Sequence, residues 1–529
     1  MNTPAWRPPL RRLTTTAMVG VVAVAVATPV LVVIWSITDP STDVWQELWR
    51  TRLPGMLRDT LTLLVAVLAG TLVVGTALAW LITAYRFPGR RLLGWLLVTP
   101  LAMPGYVLGF VWLDAWQEPL GARQVRSIWM CTVVLTLTLY PYVYLFALAA
   151  FREQSQRPVD VARSLGCGRT GAFWRVVLPM ARPSVAGGAA LVTMEVLTDV
   201  GTVRLFNVST IADGVMRVWF GTGNREAAAE LSVSMIGVAV VLIAAEHLLR
   251  GRARFTQGGT HNGLAAHRLH GGRALAAAVI GWSVFAVAVA LPVTRLTAWA
   301  SEARRTGQTV TVAGDLGFHL ASSLRVAGLA TVSCLLVGAL FAFAVDRRRR
   351  GQVAVARLAT LGYAVPGPVV AIGVLVTLGT LDRSGWLPDG WLLIGSLAGL
   401  TYALVVRFLA VTYQGIESSI GKVSPTVRDS ARTLGASRAR VATQIELPLA
   451  AAGLTAAAVL VAIDTLKELP ITLLLRPFGT ETLPVWVWQA TSESLWVEAA
   501  VPSLAIVVVG MVLVGVLLWA LEHGAETVS

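Results

Sequence analysis

The sequence predicts an all-α integral membrane protein, with about twelve transmembrane helices in two pseudo-symmetric halves of six. Three observations predict it. Of 529 residues, 55% are hydrophobic and only 14% charged, where a soluble chain carries nearer a quarter; mean hydropathy is +0.69. Apolar stretches of about 20 residues recur along the chain, long enough to cross a hydrocarbon core of about 30 Å. Such stretches must pair their backbone groups internally, as helices do. Finally, one loop pattern occurs twice, and every residue of the second copy lies 269 positions after its counterpart.

The first span is an apolar run from about Met18 to Trp35, behind Arg7, Arg11 and Arg12. Its charge layout is that of a secretory signal. The run is longer than a signal core and Ala25 to Ala27 lies in its middle, so an uncleaved helix is expected. Further apolar centres fall at Gly70, Pro104, Leu137, Leu191 and Val240, then at Val284, Val332, Val370, Leu400, Leu460 and Val512. Pro104 and Pro366 stand near helix middles, where a proline breaks or kinks a span. Such breaks either mark a transport path or face lipid.

The formal charge of +14 would suggest nucleic acid in a soluble domain. Here it reads as topology, with no nucleic-acid partner. With the N-terminus inside, roughly 27 of the 43 Lys and Arg fall in inside loops, the bias that sets orientation in membranes. These loops hold Arg86, Arg90 and Arg91, the stretch Arg152 to Arg182, Arg250 to Arg273, Arg347 to Arg350, and Lys422 to Arg440. Both termini are then cytoplasmic. Residues 251–273, rich in Gly, Arg and His, read as a flexible linker between a first repeat at 1–250 and a second at 274–529. His261, His267 and His270 in this linker have a spacing open to metal binding or a pH response, or are simply solvated. Cys131, Cys167 and Cys334 share no CxxC spacing, so neither a disulfide nor a metal site is expected of them. The many tryptophans suit the aromatic belts of a membrane interface.

The repeated loop has the form D-x-A-x3-G-x9-[VI]-x-L-P. It comprises Asp160, Ala162, Gly166, Leu178 and Pro179 within 157–182, then Asp429, Ala431, Gly435, Leu447 and Pro448 within 426–451. The glycines permit φ > 0 or close packing at a turn, and the prolines suit the first turn of a returning helix. Arg169, Phe173, Trp174 and Arg175 in one copy, and Arg438, Arg440 and Gln444 in the other, would form an exposed helix for a partner. At the same offset, Glu195 matches Asp464 and Asp199 matches Glu468. Each pair is spaced i, i+4, on one helix face, and carboxylates within a membrane normally face a cavity or a charge partner. The four, with Lys467, either line a path for a cationic substrate near its outer end, or pair with Arg204, Lys467 or Arg476 to hold helix ends.

The loop resembles the EAA loop of bacterial ATP-binding-cassette importers, E-A-A-x3-G-x9-I-x-L-P. Asp replaces the leading Glu in both copies, and Val161 or Ser430 replaces the middle Ala. The resemblance implies a fold like that of a type I importer permease in the bacterial inner membrane. It implies two copies of an ATPase subunit docked on these loops, and an extracytoplasmic substrate-binding protein on the other side. The chain has no phosphate-binding loop: its one Gly-Lys pair, Gly421-Lys422, is followed by Val423, whereas the loop requires G-x4-G-K-[ST]. ATP and Mg would therefore sit on the partner ATPase, with no cofactor on this chain and no enzymatic activity of its own. The segments from Glu195 to Thr202, Trp219 to Ser232, Val365 to Pro368, and Asp464 to Phe478 resemble the fused permeases of ferric iron importers. Permeases for thiamine, polyamines and phosphonates belong to the same broader group. Topology offers Arg50 to Arg58, Trp219 to Arg225, Arg295 to Arg305 and Trp486 to Trp496 as outer docking surfaces. An ion-gradient-driven transporter would also have twelve spans in two halves, but it has no use for a paired ATPase-coupling loop.

Overall fold

The computed structural model describes residues 9–38, 42–121, 125–250, 266–306, 309–345, 350–359, 362, 365–388, 390–421 and 425–526. The first half runs through α1 (Pro9–Trp35), α2 (Leu53–Ala84), α3 (Gly105–Leu120), α4 (Ile128–Glu153), α5 (Arg157–Ser164), α6 (Leu178–Thr198), α7 (Gly201–Leu205) and α8 (Arg225–Arg250). The second half runs through α9 (Gly271–Phe285), α10 (Leu291–Arg305), α11 (Thr309–Ala344), α12 (Gly367–Arg383) and α13 (Leu397–Gly421). It continues with α14 (Pro425–Thr433), α15 (Ala451–Lys467), α16 (Pro470–Leu475) and α17 (Trp496–Glu526).

Every expected apolar centre lies in one of these helices except Pro104, which sits at a break. Among the described residues eight helices are long and apolar enough to span a membrane, or nine if the bent pair Arg90–Ala102 and Gly105–Gln117 is one span. That pair turns through 95°. The other three centres fall in α8, α12 and α15; α12 and α15 have only 17 residues each. They are shorter than the sequence suggested because each follows an interruption, at Pro366 for α12 and at Ala450 for α15. The outward faces carry apolar side chains at i, i+4: Val332, Leu336 and Leu340 on α11, and Val508, Val512 and Val516 on α17, are all exposed. In water this would be a liability; in lipid it is the required surface.

Inside the halves, helices meet through small residues, as they must where lipid removes the hydrophobic drive for association. A Cβ on Gly75 of α2 would come within 2.8 Å of Val143 Cβ, and one on Gly188 of α6 within 2.9 Å of Val143 Cα. Helices α2, α4 and α6 therefore clasp one another, and α11, α13 and α15 repeat the arrangement in the second half. The halves also exchange arms. Helix α1 packs on α12 and on the Arg350–Ala359 helix of the second half, while α10 packs on α3 of the first. Trp112 of α3 donates to the Val287 carbonyl (3.2 Å), and Arg295 of α10 pairs with Asp114 of α3 at 2.9 Å.

The described residues of the linker carry a short ladder. Tyr85–Arg86 (β1) pairs in parallel with His267–Arg268 (β2), tying the start of the second half to the first. His261 lies outside the described residues. His267 and His270 are exposed, and no group of three or more His, Cys, Asp or Glu that could hold a metal occurs among the described residues.

Candidate functional site

The two repeated loops share one turn geometry. Helix α5 ends in a Schellman motif: the Cys167 N–H donates to the Ala162 carbonyl (3.0 Å) and the Gly166 N–H to that of Arg163 (3.0 Å). Gly166 has φ 86°, the left-handed conformation this cap requires. In the second copy Ala436 donates to Ala431 (3.0 Å), Gly435 to Arg432 (3.1 Å), and Gly435 has φ 88°. The A-x3-G spacing thus has a cause, because it joins the third residue from the helix end to the left-handed cap.

Each proline stands in the first turn of a helix, Pro179 in α6 and Pro448 in Leu447–Leu449, and each of these helices continues directly from a π-turn. In the first copy Pro179 follows a π-turn, Phe173–Val177, and the helix runs unbroken from Thr170 to Thr198. The second copy has its π-turn at Ala442–Glu446, again just before Leu-Pro. A proline lacks an N–H and its ring crowds the carbonyl four residues back. Widening the preceding turn accommodates both effects.

Asp160 is exposed and accepts from Gln156 Nε2 (2.8 Å); Asp429 is exposed likewise. Phe173 turns inward, against expectation, with its ring 4.8 Å from that of Trp80. Trp174 and Arg175 stay exposed, as do Arg440 and Gln444, which are bonded to each other at 2.8 Å. The side chains of Arg169 and Arg438 lie outside the described residues. Two residues escaped the sequence reading. Leu165 (79% exposed) and Leu434 (88% exposed) stand at equivalent places immediately before the two glycines. Both are bare apolar side chains on matching loop tips.

The second feature is a small cavity of about 80 Å³ between the halves, room for a few waters. Glu195, Asp199, Asp464, Lys467 and Glu468 all line it, joined by Thr138, Thr198 and Arg407. The sequence had therefore grouped the four carboxylates correctly, while Arg407, an arginine inside an apolar run of α13, was overlooked. Pro104 and Gly105 at the broken span also line it, so that break faces the cavity.

Asp199 and Glu468 do equivalent work. Asp199 accepts from the Thr202 (2.8 Å) and Val203 (3.1 Å) N–H groups, and Glu468 from those of Ile471 (2.9 Å) and Thr472 (3.2 Å). Each carboxylate caps the short helix after it, α7 or α16, where donors are otherwise unpaired. Gly105 and Gly367 make room for these caps. A Cβ on Gly105 would lie 2.5 Å from Thr202 Oγ1, and one on Gly367 would lie 2.8 Å from Arg407 Nη1 and 3.1 Å from Glu468 Oε1.

Of the three charge partners expected, one pairs with these carboxylates. Lys467 Nζ lies 3.0 Å from Asp464 Oδ1. Arg204 lies instead over the Trp488 ring, and Arg476 pairs with Glu481. Of the outer segments, Trp486 is buried and packs against His319, so it offers no docking surface. Trp386, Trp391 and Phe478 are strongly exposed aromatics, as are Trp35 and Trp129.

Two halves of membrane helices, exchanged arms, a polar cavity between them and a matched pair of exposed loops define a transport permease. The chain belongs to the family of binding-protein-dependent transport system inner membrane components, whose profile matches residues 72–255 and again 334–524. It is 26% identical over 469 residues to the Fe(3+)-transport system permease protein FbpB 2 of Haemophilus influenzae, an alignment covering 87% of this chain and 88% of that one. Over 182 residues it is 30% identical to the sulfate transport system permease protein CysT of Escherichia coli, covering 32% of this chain and 65% of that protein. Over 218 residues it is 28% identical to a probable molybdenum ABC transporter permease of Haloferax volcanii, covering 40% and 78%. This is a fused, two-repeat permease of the ATP-binding-cassette kind, a multi-pass inner-membrane transport subunit resembling ferric iron permeases.

Proposed function

We propose that the chain is the membrane-spanning subunit of an ATP-driven importer that passes ferric iron from an extracytoplasmic binding protein to the cytoplasm by alternating access. One observation carries the cationic cargo: four carboxylates face two cations in a cavity between the halves. The relative that aligns along nearly the whole chain, an Fe(3+)-transport permease, supports the same reading. Iron is cargo in this scheme, without a resident metal site, because a deep well in the path would slow transit.

Two copies of an ATPase subunit, holding ATP and Mg, dock on the loops 157–182 and 426–451, with Leu165 and Leu434 entering their grooves. Both termini are cytoplasmic. Residues 1–250 and 274–529 are the two rocking units, joined by 251–273. Closure of the ATPase pair moves the loops through the rigid caps at Gly166 and Gly435. The path is lined by Glu195, Asp199, Asp464, Lys467 and Glu468. The loaded binding protein engages the outer face, where Trp386, Trp391 and Phe478 are candidate contacts.

The sulfate and molybdenum permease relatives favour a second reading, in which an oxyanion meets Arg407 and Lys467. Each aligns with well under half of this chain, and an anion would have to approach four carboxylates. Uptake of labelled ferric iron, molybdate and sulfate by cells carrying the chain with its ATPase and binding protein decides between them. Saturable iron uptake that is lost in a Gly166→Val, Gly435→Val double variant supports the reading. Uptake of an oxyanion without iron overturns the cargo assignment, and uptake indifferent to the double variant overturns the ATP coupling.

A further inference from the structure

The halves agree on the cavity's carboxylates and differ on its cations. Glu195 and Asp199 have Asp464 and Glu468 as counterparts. By the same offset Lys467 stands where the first half has Thr198, and Arg407 where it has Thr138. All eight residues line the one cavity. Both cations come from the second half and both reach the first. Lys467 Nζ, bound to Asp464, also donates to the Tyr142 hydroxyl of α4 at 3.1 Å. The two Arg407 Nη atoms lie 3.4 Å from Thr198 Oγ1 of α6. Two buried polar atoms on this cavity have no hydrogen-bond partner, Glu468 Oε1 and Arg407 Nε, on side chains of residues that are each 5% exposed.

We propose that Lys467 and Arg407 are tethered counter-cations, which fill the seats of a cationic cargo on the carboxylates and are displaced as the cargo passes. This rests on the cationic-cargo part of the proposed function. Four carboxylates in a low dielectric cannot stay charged and uncompensated. Passage through the cavity also requires that a multivalent hard cation be held weakly. A lysine resolves both demands, because its ammonium is a point charge on a flexible four-carbon stem. Tyr142 gives that ammonium a second hydrogen-bond acceptor when Asp464 is taken. Arg407, held at Thr198 beside Gly367, supplies the stiffer charge, and the free Glu468 Oε1 is the oxygen open to the cargo. The arrangement selects by valence. A monovalent ion replaces the ammonium with an equal charge and gains nothing, whereas a multivalent ion gains the difference.

Terbium(III), a hard oxygen-seeking trivalent ion, is the probe. It is titrated by sensitised luminescence into the full-length chain in phosphatidylcholine nanodiscs. Lys467→Thr and Arg407→Thr each install the residue that the first half carries at that place. Each is expected to bind terbium roughly ten-fold more tightly or better, the effect of removing a unit charge a few ångström away. Adding Asp464→Asn to Lys467→Thr should abolish that gain. Unchanged or weaker binding by both threonine variants, eluting as the parent does, overturns the proposal. The parent protein gives a second measurement that needs no variant. The chain has only two lysines, Lys422 and Lys467, so reductive methylation can be read residue by residue. Saturating terbium should raise the labelling of Lys467 relative to Lys422, and unchanged labelling overturns displacement. These readouts are independent of uptake: iron import with no terbium effect leaves the importer and removes the tethered cations.

Discussion

The hinge at Gly166 and the hinge at Gly435 share one cap geometry, while the two walls of the cavity do not share their charges. At the hinges even the irregular features recur at the constant offset: the left-handed glycine, the two cap hydrogen bonds, the π-turn and the exposed leucine. In the cavity the helix-capping carboxylates recur, but a lysine and an arginine stand opposite threonines. The difference follows from what each region must meet. On the proposed function each hinge meets its own ATPase subunit, so each must keep the cap geometry. The cavity is shared, so a charge supplied by one wall serves both.

That contrast can be broken most forcefully at the hinges. A β-branched residue in the left-handed region is a genuine outlier, costing about 1–2 kcal/mol per site. The space around both glycines is open, so the penalty is one of backbone alone. Gly166→Val with Gly435→Val should cut ATPase stimulation by loaded binding protein roughly ten-fold or more, in a complex that still assembles. Each single variant should lose a similar, smaller amount, and clearly unequal singles would break the equivalence of the hinges.

A smaller effect is expected at the loop tips. Leu165→Asp and Leu434→Asp each remove one leucine from the proposed ATPase interface, where burial would contribute about 1.5–3 kcal/mol. Each should weaken co-purification of the ATPase without lowering the melting temperature of the isolated permease. A drop in melting temperature would show that the leucines stabilise the fold itself.

The caps come next. Asp199→Ala and Glu468→Ala each leave two N–H groups without their acceptor, at about 1 kcal/mol. Both should lower the melting temperature, Asp199→Ala by more, because Asp199 also accepts from the Thr202 hydroxyl (2.7 Å). The smallest effect is expected of Thr138→Val. Its hydroxyl bonds only its own helix, to the Val134 and Leu135 carbonyls, so stability should stay within about 0.5 kcal/mol. Thr198→Val should cost visibly more, because the Thr198 hydroxyl receives Arg407; equal effects would argue that Arg407 is not held there.

The span centres, the duplication and the loop pattern were legible in the sequence because each is written in local chemistry: apolar length, arginine placement, and a glycine at a fixed distance from an alanine. The caps were less so. Asp199 and Glu468 looked like charges seeking a charge, whereas each accepts from two backbone N–H groups that no side-chain inventory records. Arg407 was missed because it stands alone between Val406 and Phe408; the signal was present, since an arginine within an apolar span rarely faces lipid. Phe173 and Trp174 could not be told apart by spacing, and a widened turn sends one to the core and its neighbour outward. Trp486 read as an interfacial aromatic, but the cross-helix packing that buries it against His319 brings together residues far apart in the chain.

Lys467 and its threonine counterpart have a consequence for how such a membrane domain can arise. Two identical subunits related by a twofold axis must carry any side chain twice or not at all. A homodimeric ancestor could therefore have lined its pore with two lysines or with none. Joining the copies into one polypeptide frees each wall to mutate alone, and it fixes their pairing at one to one. The single lysine is a state that only a fused or heteromeric permease can reach.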